Sequence, residues 1–348
     1  MLRLSQVLLA LLVGVVVGAQ EAPKAHVITT TTPDLAAVCR AIGGDSVEVR
    51  SIVVGPQDPH YLDPRPTFLY AIQRAELVVE IGRQLEIGWW PVLLQNGRNP
   101  AVLPGQIGHL DASRAVRALG VPTAAIDRTA GDLHMAGNPH YLLDPLCGLE
   151  VGSLLRDRFT SLWPAEKQVF ADNWQRFRER MAVSMVGEEL AKEYEFEAEK
   201  LAAAFGNGTL LDVLKEQGDL QRLGGWFGTM AKLRGSKVVV DHDLWPYFAE
   251  RFGLQVFGFL EPKPGVTPTT AHLTTLAERM RAGEVRAVLA SSYFPPQHAA
   301  VLQRAVGAVV VPMAHQVGGR PGTDDYITFV DHNVKVLAAA LGATPASK

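Results

Sequence analysis

Apolar residues in the first half of the chain come in short runs, each followed by a stretch with helical spacing. Residues 26–28 (His-Val-Ile) lead through a threonine run into Pro33-Asp34-Leu35, which reads as a strand entering a helix. Residues 47–54 predict the next strand, and 75–82 (AELVVEIG) predict a helix end running into a short apolar strand. The second half repeats this logic with strand 237–240, helix 245–252 and strand 254–260. Apolar runs at 285–290 and 308–311 and a C-terminal helix over 326–341 complete it. Strands alternating with helices imply parallel sheets covered on both faces, an α/β fold.

Between the halves, Pro164 is placed to open a helix, where its missing N–H costs nothing. Phe170, Trp174, Phe177, Met181 and Met185 then recur at helical spacing. This stripe reads as core packing along one long helix that joins two lobes as a stiff spine. Residues 187–225 read as an insertion, amphipathic and charged early, then turn-rich at Gly206-Asn207-Gly208 and Gly224-Gly225. The expected organisation is a signal peptide over 1–19, an N-terminal lobe over 20–160, a linking helix over 161–186, the insertion, and a C-terminal lobe over 226–348.

Composition narrows the function. With 348 residues, 47% of them hydrophobic, the chain has enough apolar side chains for two cores, which excludes disorder. The 33 Lys+Arg against 36 Asp+Glu leave no basic excess to neutralise phosphates, so nucleic acid is excluded as a partner. Two cysteines, Cys39 and Cys147, cannot build a disulfide scaffold or a cysteine-based zinc knuckle. Cys39, among Ala36, Ala37 and Ile42, is expected as a buried thiol; a Cys39–Cys147 bridge has no other support. Arg3, the apolar run 7–17 and Val17-Gly18-Ala19 read as an export signal cleaved after Ala19. The run is short for a bilayer span, and no cysteine follows it to carry a lipid. The expectation is therefore an exported, soluble, monomeric protein of a bacterial periplasm.

Four of the ten histidines stand in unusual contexts. His60, in QDPHYLDPRP (57–66), follows a predicted strand in a loop stiffened by three prolines. GNPHYLLDP (137–145) repeats the device around His140. Two Pro-His-Tyr units, each with Asp-Pro shortly after, are hard to ascribe to packing. VVVDHD (238–243) places His242 directly after a strand, with Asp241 or Asp243 available to fix its tautomer. MAHQVGG (313–319) places His315 after the 308–311 strand. Carboxyl ends of parallel strands are where α/β folds place ligands, so two histidines from each half meet in an inter-lobe cleft. Imidazole donors suit zinc, and four would leave no open position for water, favouring carriage over hydrolysis. His134 reads as a cleft guard or a surface residue, and His26, His109, His272, His298 and His332 as structural or exposed.

On these residues the sequence resembles the zinc/manganese-type solute-binding proteins of bacterial ABC importers, over nearly all of the mature chain. KVVVDHDLWPYFAERFGL (237–254), LEPKPGVTPT (260–269) and AELVVEIGRQLE (75–86) carry the resemblance alongside the two Pro-His-Tyr loops. It implies two α/β lobes on one spanning helix, one divalent ion held in the cleft, and delivery to an ABC membrane permease. It places His60, His140 and His242 at ligand positions, and a histidine at the third tilts the choice from manganese to zinc. The family's fourth ligand is an Asp in a turn that His315-Gln316-Val317-Gly318 occupies here; Asp324 and Asp325 are the alternatives. The main expectation is a zinc receptor that is not an enzyme. A zinc hydrolase is the rival, with Glu261 as its best candidate base and H-E-x-x-H absent; a manganese receptor or adhesin of the same fold is the other.

Overall fold

The computed structural model describes residues 24–122 and 134–342, so the expected signal peptide and its cleavage point lie outside the described residues. Two four-stranded sheets organise the chain. The first comprises β1 (His26–Thr30), β2 (Val47–Ser51), β3 (Leu77–Glu80) and β4 (His109–Asp111), in the order β2-β1-β3-β4. The second comprises β5 (Lys237–Val240), β6 (Gln255–Phe259), β7 (Ala287–Ala290) and β8 (Val309–Pro312), in the equivalent order β6-β5-β7-β8. Every pairing is parallel. Such sheets must be covered on both faces, which is why β3 (LVVE) and β5 (KVVV) are apolar runs and not alternating patterns.

In each sheet the chain order reverses beside the first strand, and the crevice past the strand ends at that point is where such folds bind ligands. The sequence pattern missed β4, since its three residues are too few for a periodicity. It also overran β2: the strand stops at Ser51, although Ile52 and Val53 still donate to Thr30 and Thr31 carbonyls.

The long helix spans Lys167–Val186, about 30 Å at 1.5 Å per residue. Pro164 does not begin it directly; it opens a 3-10 turn, Pro164–Glu166, that leads in. Near its start Asn173 Nδ2 donates to the Ile42 carbonyl in the first lobe, at 2.9 Å. At its end Gly224 N donates to Val186 O, at 2.9 Å. Gly225 (φ 59°) passes so close that an added Cβ would stand 2.3 Å from Ser184 O. Phe170, Trp174, Phe177, Met181 and Met185 are all buried in a core that continues from the first sheet into the second lobe. Two α/β lobes thus share one interior across the spine.

The stretch after the spine folds as three short helices, Glu188–Glu193, Ala198–Gly206 and Thr209–Gln217. Arg178 on the spine pairs with Glu197 and Glu199, and Phe205 stacks on Phe227 with ring centroids 4.1 Å apart. Cys39 and Cys147 are both buried free thiols, so no bridge joins them. Among the described residues no helix is long and apolar enough to cross a membrane.

Candidate metal centre

The two Pro-His loops are built alike. An Asx side chain two residues before each histidine turns the backbone back: Asp58 Oδ1 accepts His60 N at 2.9 Å, and Asn138 Oδ1 accepts His140 N at 3.0 Å. Proline between them fixes φ, so each imidazole leaves its loop in one direction. The loops then differ. Asp58 also accepts the His60 Nδ1–H, at 2.8 Å. Asn138 instead reaches across the cleft and donates to the Asp243 carbonyl at 2.6 Å, tying the first lobe to the loop that carries His242.

His242 leaves the end of β5 with Nδ1 2.6 Å from Glu261 Oε2. The sequence suggested Asp241 or Asp243 for this task. Asp241 is instead fully buried beneath the loop, accepting the His242 and Ser291 backbone N–H groups and the Trp245 indole N–H. Glu261 is itself held by the Gly265 N–H at 2.8 Å, which accounts for the rigid Pro-flanked LEPKPG loop. It is the orienting partner of an imidazole, so the best candidate base of a hydrolase is already engaged.

Carboxylates only accept, so Nδ1 of both His60 and His242 must carry the hydrogen and Nε2 keeps its lone pair for a ligand. Ligand atoms of His60, His140 and His242 all lie within 4.8 Å of one another. Among the described residues Nε2 of His140 is buried without a hydrogen-bond partner, a costly state for a polar atom that no ligand satisfies. Burial, then the neighbouring imidazoles, push the His140 pKa well below its ordinary value. His242 goes the other way: burial disfavours its charge, but the Glu261 carboxylate outweighs burial and raises its pKa. Asp58 is likewise penalised by burial, yet its bond to His60 brings its pKa below the usual carboxylate value.

His315 is not brought into this group. Its Nε2 lies 3.0 Å from the Gln57 carbonyl, which can only accept, so Nε2 carries the hydrogen. Nδ1 then accepts the Ser292 hydroxyl at 3.0 Å, and no lone pair is left over. Burial lowers its pKa to about 4, so the ring is neutral. The turn latches the lobes together: Gln316 Nε2 donates to the Val54, Gly55 and Gln57 carbonyls, and Val317 N donates to Asp34 Oδ1. The alternatives do not join either. Asp325 caps the last helix through Ile327 N and Thr328 N, and Asp324 is exposed.

His134, in contrast, lies against His60 and His140. Its Nε2 lies 3.4 Å from His60 Nε2, its ring stacks on His60 at 5.4 Å between centroids, and its edge faces His140 at 6.4 Å. Burial, then the charges of His60 and His242, lower its pKa to about 3, which keeps it neutral. The only sequence signal was its position six residues before His140. Beside it, Gly82, Arg83 and Gln84 form a left-handed turn with φ of 77°, 50° and 68°. Such a conformation costs a non-glycine residue of order 1–3 kcal/mol, so the surroundings must enforce it. Arg83 donates to Tyr247 of the other lobe and to the Asn138 and Val116 carbonyls.

The profile of the ZnuA family, "Zinc-uptake complex component A periplasmic", matches residues 27–201 and 215–340. The "High-affinity zinc uptake system protein ZnuA" of Yersinia pestis is 21% identical over 313 residues, covering 87% of this chain and 83% of that protein. The "Manganese ABC transporter substrate-binding lipoprotein PsaA" of Streptococcus pneumoniae is 36% identical over 72 residues, 20% of this chain and 23% of PsaA, so that match spans under a quarter of the relative. Among solved structures, a crystal structure of ZnuA superposes with a TM-score of 0.65 at 20% identity, covering 91% of this chain and 99% of that one. A Mn-bound periplasmic metal binding protein from Candidatus Liberibacter asiaticus gives 0.62 at 16% identity, with coverage of 91% and 99%. With a family profile matched over most of its length, the chain belongs to the ZnuA family of metal-binding substrate-binding proteins of ABC transporters.

Proposed function

We propose that this protein is an exported receptor that captures one zinc ion in the cleft between its lobes and hands it to an ABC permease. The observation that carries the reading is the convergence of three imidazoles from separate loops, two of them with Nδ1 fixed by a carboxylate. Zinc favours tetrahedral nitrogen coordination, and a donor set free of carboxylates suits it better than manganese. Asp58 and Glu261, one bond behind the donors, offset the charge of a divalent ion. The raised pKa of His242 favours a proton on Nε2 as well, and entry of the ion displaces that proton while the Nδ1–H stays on Glu261, so uptake releases protons.

The site draws on both lobes, yet the lobes share a core and are tied by Asn138, Arg83 and the Gln316 turn. Capture therefore proceeds with small movements of the loops and not a wide hinge opening. The test is metal analysis of the purified protein with competitive titration of zinc against manganese. One zinc per chain, outcompeting manganese, supports the reading; preferential manganese binding would shift it to a manganese receptor of the same fold.

A further inference from the structure

We propose that His134 is the fourth zinc ligand, held in place by the left-handed turn at Gly82-Arg83-Gln84. The proposal rests on the zinc-receptor reading and deepens it. In a tetrahedral site with zinc–nitrogen bonds of about 2.0–2.1 Å, neighbouring donors stand roughly 3.3–3.4 Å apart. The two Nε2 atoms of His134 and His60 stand 3.4 Å apart, so this edge of the tetrahedron is already set. His60 presents an Nε2 lone pair because Asp58 holds its Nδ1–H. An ion on that lone pair lies within bonding reach of His134; the rings of His134, His140 and His242 draw in around it to close the remaining edges of the tetrahedron. The histidine that the family's motif order favoured, His315, has both ring nitrogens hydrogen-bonded elsewhere.

The turn itself also bears on His134. Three successive left-handed residues, two of them not glycine, need a reason in the fold. Gln84 supplies one: its Oε1 accepts the Met135 N–H at 2.9 Å, gripping the backbone next to His134. Gly137, also left-handed at φ 93°, donates to the His134 carbonyl at 3.1 Å and closes the segment onto the rigid Asn138-Pro139-His140 loop. The turn is pinned from below, where Glu86 accepts the Ile81 and Gly82 N–H groups. His134 is thus held from both sides, as a ligand must be and a surface histidine need not be.

The experiment uses the whole chain, loaded with zinc for competition against a chromophoric chelator and with cobalt(II) for visible spectroscopy. His134→Ala is expected to weaken zinc by about 10–100-fold or more and to reduce the intense cobalt spectrum of a four-nitrogen tetrahedral site, since losing a donor costs at least what losing its outer partner does. Gln84→Ala should give a smaller loss in the same direction. His134→Cys restores a donor and should add a thiolate-to-cobalt charge-transfer band, a signature that a purely structural residue would not produce. Wild-type zinc affinity and cobalt spectrum in His134→Ala, with no new band in His134→Cys, would overturn the proposal while His140→Ala still abolished tight binding. If His140→Ala also bound zinc normally, the three-histidine centre itself would fall, and the proposal with it.

Discussion

His242 and His315 belong to the same lobe, each follows a strand of the same sheet, and each is buried. In sequence they look interchangeable. In the fold they are opposites. Glu261 takes the Nδ1–H of His242 and leaves Nε2 open towards His60 and His140. Gln57 and Ser292 take both nitrogens of His315 and make it part of the latch between lobes. The lesson is that the partner of the second nitrogen, and not the loop position, decides whether a histidine in such a cleft is a ligand.

The sharpest way to break that contrast is to remove the open imidazole. His242→Ala should cost at least about 100-fold in zinc affinity by competitive titration, more than any outer partner costs. Removing only its partner comes next: Glu261→Ala should weaken zinc by about 10–100-fold, because the ring loses its fixed tautomer and orientation. If Glu261→Ala bound as well as wild type, the carboxylate would not be setting the ligand.

The same contrast extends to carboxyls. Asp58, with an imidazole partner, has a lowered pKa, whereas buried Glu80 is raised to about 8, first by burial and then by the charges of Glu86 and Asp111. His109 Nε2 is its facing group, at 3.5 Å. Unfolded, a glutamate titrates near 4.3, so between about pH 6.5 and 8 the folded chain holds a proton that the unfolded chain lacks. Stability is therefore lost as pH rises through that window, by at most about 1.4 kcal/mol per pH unit for one proton. The raised His242 acts in the same direction, while the lowered His134, His140 and His315 act oppositely only up to about pH 7, where an unfolded imidazole has lost most of its proton. Metal-free protein should accordingly melt lower at pH 8 than at pH 6.5, and Glu80→Gln should flatten the difference; a melting temperature that rises across this window would contradict the assignment. The smallest effect is expected for His315→Ala in zinc affinity, a change below about twofold, since no lone pair of that ring faces the ion. A large loss there would return His315 to the ligand set.

Much of this was legible in the chain. Both sheets, the spine and the paired Pro-His-Tyr loops follow from short apolar runs, helical spacing and proline, all of which act locally. The Asx residue two before each histidine was equally readable as a turn former. What the sequence did not carry was long-range. Glu261 lies 19 residues from His242, and Gln57 lies 258 from His315, so neither partner is visible in a local window. In the sequence His134 has no apolar strand-like run before it and no proline beside it, and the backbone next to it is gripped by a turn some fifty residues earlier. Patterns of composition select histidines that stand at strand ends; only the assembled fold tells which nitrogen each one leaves free.

The most direct measurement of the central claim is a zinc titration of the metal-free protein, in competition with a chelator, for the wild type and for His60→Ala, His140→Ala and His242→Ala. One tight zinc per chain, lost in each of the three variants while their folds persist by circular dichroism, is the result expected. Wild-type affinity in any one of them, or no stoichiometric zinc in the parent, would contradict a centre built from these three imidazoles.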